Sequence, residues 1–236
     1  RIAITSAEMQ QYEKLAQGIS KQVVDPRRRD TLVGCKPRSE TAPDASCAGS
    51  FFEKAGLFLF RRPLSKVELD LFLATHTEAA TQLGSFNAGI AAALSQMLVA
   101  PEFLFRLETT EPDPARPGMQ RLDVYSAASR LSYLLWDSSP DAGLLAAAKS
   151  GRLHTTEGLQ QQVERMLMSP RMEHGVRAFF TDMLGFDGFA TLSIDSTLYP
   201  RFTKNVLEDA YEQTLRTIVD QLLIRNNPYG ELFVTR

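Results

Sequence analysis

Apolar residues recur every three to four positions along most of this chain, which is the spacing that places them on one face of an α-helix. Alternation of apolar and polar residues, the pattern of a half-buried strand, is almost absent. The pattern therefore predicts an all-α fold, an irregular bundle of about 8–10 helices. A long loop bracketed by two cysteines interrupts it near the N-terminus.

Capping residues and prolines set the expected helix limits. Ser6, Ser46 and Asp123 are predicted to begin helices, and Ser65 with Glu68 forms a capping-box pattern. Helices are predicted over residues 6–22, 46–60, 65–76, 85–98, 101–107, 123–136, 141–150, 155–167, 170–184 and 203–225, and residues 185–196 are predicted to be irregular.

Three prolines between residues 111 and 118 predict a linker or extended loop. It separates an N-terminal helical domain, residues 1–110, from a C-terminal helical domain, residues 119–236. The second domain is expected to be incomplete, because a turn at residues 226–230 leads into an apolar segment that stops without a partner. The chain begins with Arg1 rather than Met, so a processed or excised piece of a longer protein is expected.

Cys35 and Cys47 bracket a loop rich in Pro, Ser, Asp and Ala. A disulfide across so short a loop would stabilise the fold by roughly 3 kcal/mol on the chain-entropy estimate. Two unpaired thiols are the alternative, and the redox compartment decides between them. A zinc or haem site is not expected from this pair, since neither cysteine has a CxxC partner or a following histidine.

Charge and hydropathy exclude several classes of partner. The 26 basic and 28 acidic residues give a net charge of −2, which does not favour nucleic acid or an anionic membrane. No stretch approaches the roughly 18 apolar residues that a transmembrane helix requires.

A few polar residues on apolar helices are the candidates for specific roles. Glu102 and Arg106 are one helical turn apart, in the favourable order for an ion pair. A half-buried structural pair is the main interpretation, and Glu102 as a general base is the alternative. Arg62 and Arg130 are further candidates for ion pairing, and Trp136, the only tryptophan, is a candidate for packing.

The three histidines, His76, His154 and His174, are expected at helix ends or on polar faces. None has the HExxH spacing of a zinc site. His154 follows a helix end at Gly151–Leu153 and is the candidate for an external ligand. No catalytic residue or metal site is predicted, because no nucleophile elbow, Walker loop or dinucleotide fingerprint is present. Whether the chain is part of an enzyme stays open.

Five ordered blocks nevertheless resemble a known family. They are Phe60-Arg61-Arg62-Pro63-Leu64-Ser65, the run from Ala100 to Glu108, the run from Ala128 to Trp136 with Ser139-Pro140-Asp141, Gly151-Arg152-Leu153, and Met166-Leu167 with Ser169-Pro170-Arg171. Over about residues 45 to 235 the chain resembles a secreted bacterial family of planctomycetes and myxobacteria, described as tandem helical domains of unknown function associated with cytochrome c. The Cys35 and Cys47 pair fits the cysteine spacing ahead of that family's first domain.

The resemblance implies a periplasmic or extracellular location and a larger parent protein. In many members a separate C-terminal module carries a CxxCH motif for haem c. This chain has no CxxCH, so any covalent haem would lie beyond Arg236. The resemblance assigns no catalytic role to Arg62, Glu102, Arg130 or Trp136.

The leading hypothesis is a helical scaffold within a larger secreted, cytochrome-associated protein. Its partners would be other domains or chains of that protein, and it would support a haem-dependent electron-transfer or oxidoreductase module lying outside this chain. The alternative is a helical module that binds extracellular polysaccharide or another polymer, with Tyr199, Tyr229 or Phe189 contacting the ligand. A structural partner in an envelope complex is the third possibility considered.

Overall fold

A computed structural model describes residues 4–186, 188, 195, 197–199 and 201–234. The all-α prediction is confirmed: 67% of the described residues are helical, and they contain a single small two-stranded sheet. The α-helices are α1 Ser6–Val23, α2 Arg29–Leu32, α3 Ala45–Leu59, α4 Lys66–Leu83, α5 Phe86–Leu98, α6 Pro101–Leu104, α7 Val124–Trp136, α8 Ala142–Lys149, α9 Thr156–Leu167, α10 Met172–Met183 and α11 Lys204–Val219.

Short non-α elements lie between these helices and after α11. Strands β1 Thr110–Pro112 and β2 Gln120–Leu122 pair antiparallel, so the segment predicted as a linker forms a small hairpin. A 3₁₀ turn covers Arg152–His154, a π-helical turn Asp220–Ile224 extends α11, and a 3₁₀ segment covers Tyr229–Phe233. Most of the predicted irregular segment 185–196 lies outside the described residues, as does Phe189.

Two of the four predicted caps lie at the expected residues. Ser65 and Glu68 form the expected reciprocal capping box, and Asp123 accepts the amides of Tyr125 and Ser126 at the start of α7. Two predicted caps were displaced. Thr5 rather than Ser6 caps α1, and Asp44 rather than Ser46 caps α3 by accepting the Ser46 and Cys47 amides. A carboxylate accepts two amides at once, which explains why Asp44 takes this position.

Two predicted helix ends were wrong. Helix α4 continues past His76 to Leu83 and ends at Gly84 in the left-handed conformation. Helix α6 ends at Leu104, since Phe105 is already extended. The buried Arg61 donates from its two terminal nitrogens to the carbonyls of Glu102, Phe103 and Phe105, at 2.5, 3.4 and 2.7 Å. These bonds satisfy carbonyls that a helix of one turn leaves open.

The chain divides into two compact units, residues 1–129 with 140–150, and residues 130–139 with 151–236. The sequence-based boundary at residues 110–119 followed the prolines, whereas this division follows packing. The core of the first unit is built by α1, α3, α4 and α5 and includes Phe51, Phe52, Phe72, Phe86 and Ile90. The core of the second unit is built by α10 and α11 and includes Val176, Phe180, Leu215, Ile218 and Val219.

Helices α4 and α5 pack closely through small residues. A Cβ added at Gly89 would lie 2.5 Å from the His76 carbonyl oxygen and 2.6 Å from its Nδ1, so only glycine fits there. This packing buries His76 completely, with its ring edge-on to Phe86 and Phe52 at centroid distances of 5.0 and 6.1 Å. The prediction that His76 lies at a helix end or on a polar face was therefore wrong, since it is buried inside α4.

Neither ring nitrogen of His76 has a hydrogen-bond partner among the described residues. Burial lowers the pKa of His76 below its usual 6.5, and the nearby Gly89 backbone and the Asp44 charge oppose this shift. A charged imidazole would be poorly solvated between two phenyl rings, so the folded protein holds the neutral form.

The predicted disulfide between Cys35 and Cys47 is present, with a Cα–Cα distance of 5.6 Å. It closes the loop directly ahead of α3, in which Asp44 also accepts hydrogen bonds from Arg38. Among the described residues, no helix is both long and apolar enough to cross a membrane.

Replacing both Cys35 and Cys47 with Ser should lower the free energy of unfolding by about 3 kcal/mol, since the unfolded chain regains the freedom of the open loop. Urea denaturation of the two proteins measures the difference. Non-reducing peptide mapping of the unaltered protein should yield one peptide pair joined through these cysteines. Recovery of both as alkylated free thiols would contradict the disulfide.

His76 should make the fold sensitive to mild acid. Its folded pKa is lowered, so below about pH 6.5 the unfolded state binds a proton that the folded state excludes, and stability falls as the pH falls. The loss approaches about 1.4 kcal/mol per pH unit until the folded state's own pKa is reached. Denaturation between about pH 7 and pH 5 measures the effect. The free energy of unfolding should change less with pH in His76→Leu than in the unaltered protein.

The exposed His174 provides the matched control, because His174→Gln should keep the pH dependence of the unaltered protein. Equal slopes for the unaltered protein and His76→Leu would show that the buried imidazole does not control the acid response.

Candidate functional site

A cleft of about 600 Å³ opens within the second unit, beside the end of α7. We call it the Arg171 cleft. One side is the corner Trp136–Ser138, and the other side is one face of α10 with Tyr211 of α11. The residues contributed by α10 and its N-cap are Arg171, His174, Arg177, Ala178, Thr181 and Asp182.

The close approach of α10 to α7 depends on Gly175. A Cβ added there would lie 2.0 Å from the Leu135 carbonyl oxygen and 2.5 Å from the Leu135 carbonyl carbon. These neighbours are backbone atoms and cannot rotate away as a side chain could. Glycine is therefore required where α10 crosses the end of α7, and this crossing brings the polar face of α10 to the Trp136 corner.

Trp136 forms the floor of the cleft and is only 1% exposed. Its indole Nε1–H donates to the Met166 carbonyl in the last turn of α9, at 3.0 Å. The Arg171 guanidinium carbon lies 4.3 Å from the ring centroid, and that of Arg165 lies 5.6 Å from it. An arginine over an indole face is a favourable cation–π contact, so the tryptophan helps to fix the position of Arg171.

The corner after α7 fixes the other side of Arg171. Asp137 has φ +47°, in the left-handed region that aspartate tolerates better than most residues, and its amide donates to the Tyr133 carbonyl at 3.1 Å. This turn places Ser138 and Ser139 against the guanidinium. Nη2 of Arg171 donates to Ser138 Oγ at 2.5 Å and to the Ser139 carbonyl at 3.1 Å.

Arg171 therefore uses one terminal nitrogen, Nη2, for structure and leaves the N–H donors of Nε and Nη1 available. Among the described residues, Nε and Nη1 have no hydrogen-bond partner, and no carboxylate forms an ion pair with this arginine. The guanidinium is half-buried, held by a ring face and two oxygens, and its charge is not neutralised locally.

The middle of the cleft is a salt-bridge network between α10 and α11. Arg177 binds Glu212 and lies 3.8 Å from Glu173, while Arg216 binds Glu212 at 2.7 Å. Hydrogen bonds from Arg216 and then Arg177 lower the pKa of Glu212. The hydroxyls of Thr181 and Tyr211 meet at 3.2 Å. These contacts make this stretch a fixed wall of the site.

The remaining lining supplies hydrogen-bond acceptors and one imidazole. Asp137 and Asp182 are exposed at the cleft, and neither has an ion-pair partner among the described residues. His174 is exposed one turn after Arg171 on α10. Ser138 Oγ accepts a hydrogen bond from Arg171 rather than donating one to a histidine. The lining therefore resembles a binding site more than an active site with a serine nucleophile and its base.

Apart from Trp136 and His174, the candidate residues singled out from the sequence lie outside this cleft. Arg62 makes a two-pronged bond to Glu68, at 2.7 and 2.9 Å, and this bond lowers the pKa of Glu68 to about 2. Because α6 ends at Leu104, Glu102 and Arg106 do not share a helix, and the spacing assumed for their ion pair does not apply.

The other two predicted residues are also elsewhere. Arg130 is exposed on α7, and His154 is half-buried at the end of the 3₁₀ turn Arg152–His154. Their proposed roles, in ion pairing and in binding an external ligand, stay predictions. Among the described residues, no cluster of three or more His, Cys, Asp or Glu side chains could hold a metal ion.

Sequence reasoning missed Arg61, Arg171 and Arg177. Arg171 follows Ser169-Pro170, and α10 begins at Met172 rather than at the predicted residue 170. A combined signal existed, since Arg171, His174, Ala178 and Thr181 follow the spacing of one helix face. Pairing that face with the Trp136 corner required the tertiary structure.

Gly175→Ala should destabilise the second unit and disturb the cleft, because the methyl group meets backbone that has no room to move. A loss of about 2 kcal/mol or more is expected from overpacking at such a contact. Trp136 reports the change directly, since it is the only tryptophan and its buried ring should emit at longer wavelength once exposed to water.

Gly18→Ala is the matched control. Gly18 lies inside α1 with no atom within 4 Å of an added Cβ, so alanine there should stabilise by up to about 1 kcal/mol through helix propensity. Two alanine variants that change stability in the same direction would contradict the role assigned to Gly175.

Comparison with protein-family models gives two matches. Residues 47–108 match the family described as PSD5, protein of unknown function (DUF1595). Residues 122–236 match the family described as PSD4, protein of unknown function (DUF1592). No curated protein and no solved structure shows significant similarity to the chain. The two matched segments follow one another along the chain, and the Arg171 cleft lies within the residues matched by the second.

Proposed function

We propose that this chain is a helical scaffold and binding module of a larger secreted, cytochrome-associated protein, and that it acts by holding a ligand rather than by catalysis. The Arg171 cleft carries the proposal. It presents a cation held in a fixed position with unused N–H donors, beside a wall of side chains joined by salt bridges. Domains of these two families are commonly associated with cytochrome c, which supports the link to a haem protein.

The positions of the perturbed carboxylates also support binding over catalysis. Enzymes usually gather shifted pKa values in the active site. Here the lowered carboxylate pKa values belong to helix caps, turns and salt bridges: Glu8, Asp44, Glu68, Asp113, Asp195 and Glu212. Of these, Glu212 alone borders the cleft, where its partners are Arg177 and Arg216. The lowered pKa values of all these carboxylates follow from hydrogen bonds that hold the fold together.

The disulfide supports a periplasmic or extracellular location. Disulfides persist in oxidising compartments and are rare in a reducing cytosol. In a loop that contributes few core residues, the covalent link replaces packing that the loop itself lacks. A secreted scaffold would use this link to hold the segment ahead of α3.

The proposal predicts that the protein isolated from its native source contains haem outside this chain. Visible absorbance should show a Soret band, and peptide mapping should place the haem on a CxxCH peptide that is not among residues 1–236. A haem-free native protein would contradict the cytochrome link. Haem bound by residues of this chain would contradict its role as a scaffold.

Polymer binding is the second candidate function, and the shape of the cleft favours it. Arg171 and Asp182 are eleven positions apart along the face of α10, which at 1.5 Å per residue is roughly 16 Å of polar surface. Of the aromatics first considered, Tyr199 is 61% exposed and Tyr229 is 52% exposed, although Tyr229 also stacks on Phe180. A cleft of this length suits several units of a polymer better than a single small molecule.

A further inference from the structure

The unused N–H donors of Arg171 are the most specific chemical feature of the cleft. A guanidinium donates charge-assisted hydrogen bonds to a carboxylate, and these are stronger than neutral hydrogen bonds. In Arg171, contacts to Trp136, Ser138 and Ser139 already hold the guanidinium in place. A carboxylate that binds at the free Nε or Nη1 donors would therefore cost little side-chain entropy.

The other charges of the cleft define what else the ligand carries. Arg177 is already paired with Glu212 and Glu173, so it does not offer a second anion site. Asp137 and Asp182 would repel a dianion such as phosphate or a densely sulfated chain. Carboxylates do accept hydrogen bonds from hydroxyl groups. The lining suits a single negative charge surrounded by hydroxyls.

We propose that the Arg171 cleft binds a hydroxylated carboxylate, with the acid group on Arg171 and the neighbouring hydroxyls on Asp137 and His174. Two sources share this chemistry, a uronic acid unit of an acidic polysaccharide and a small free hydroxy acid. The inference deepens the binding role given to the cleft above and does not depend on the cytochrome link. A haem-free native protein would leave it intact.

Isothermal titration calorimetry of the 236-residue chain tests the proposal, with galacturonate, trigalacturonate, the neutral galactose trimer and inorganic phosphate as probes. We expect a uronate to bind at least about tenfold more tightly than the neutral trimer and phosphate, as the loss of a charge-assisted pair implies. Comparable affinity for the neutral trimer or for phosphate, or no uronate binding at millimolar concentration, would overturn it.

Arg171→Gln should weaken uronate binding about tenfold or more, while Arg225→Gln should leave it unchanged. Arg225 is the matched control, since it lies in the same unit and binds Asp220 away from the cleft. If Arg171→Gln lowers the melting temperature, Arg171→Lys replaces it, because lysine keeps the charge but lacks the planar guanidinium that lies over Trp136, and it should still weaken binding severalfold. Unchanged affinity in a folded Arg171 variant would overturn the proposal.

Asp182→Asn separates the two sources of ligand. Asp182 lies at the far end of the α10 face, so its replacement should weaken trigalacturonate but not monomeric galacturonate if the site follows a polymer. Equal binding of monomer and trimer, with no effect of Asp182→Asn, identifies a small hydroxy acid. Either outcome supports the binding of a hydroxylated carboxylate at Arg171.

Discussion

The close backbone contact between Gly175 and Leu135 is the constraint on which the candidate site depends. Helix α10 approaches the end of α7 so closely that a single methyl group would lie 2.0 Å from a carbonyl oxygen. This contact sets the position from which Arg171 reaches the face of Trp136 and the serines of the following turn. The left-handed Asp137 completes the arrangement, because it turns the chain back toward the arginine immediately after α7.

The first unit uses the same kind of contact for a different result. Gly89 lets α5 approach α4 until an added Cβ would touch the His76 backbone and ring. Here the space beside the glycine is filled by phenyl rings, and the polar group between them is buried without a hydrogen-bond partner among the described residues. At Gly175 the neighbouring surface is a polar cleft. Close helix packing thus produces a dry core in one unit and an open charged site in the other.

Local sequence signals predicted the fold better than the site. Ser65 with Glu68, Thr155 and Thr203 each satisfy amides within their own first helical turn, so a short window of sequence contains the whole interaction. His76 was misplaced because its burial depends on Phe52 and Gly89, which come from other helices. Arg171 was missed for the same reason, since it meets Ser138 and Ser139 across more than thirty residues. Neither environment can be derived from helical periodicity alone.

Comparison of Arg61 with Arg171 shows why one of these arginines is structural and the other is a candidate for ligand binding. Both donate to oxygens at the end of a helix. Arg61 is buried, and its two terminal nitrogens are engaged by three carbonyls of the α6 segment, so its role is complete within the fold. Arg171 is half-buried and engages oxygens through a single nitrogen. A buried arginine with unbonded N–H donors would lower the stability of the fold. At the wall of an open cleft, water can solvate those donors until a ligand replaces it. The location of the unused donors, rather than the residue type, is what assigns a binding role to Arg171.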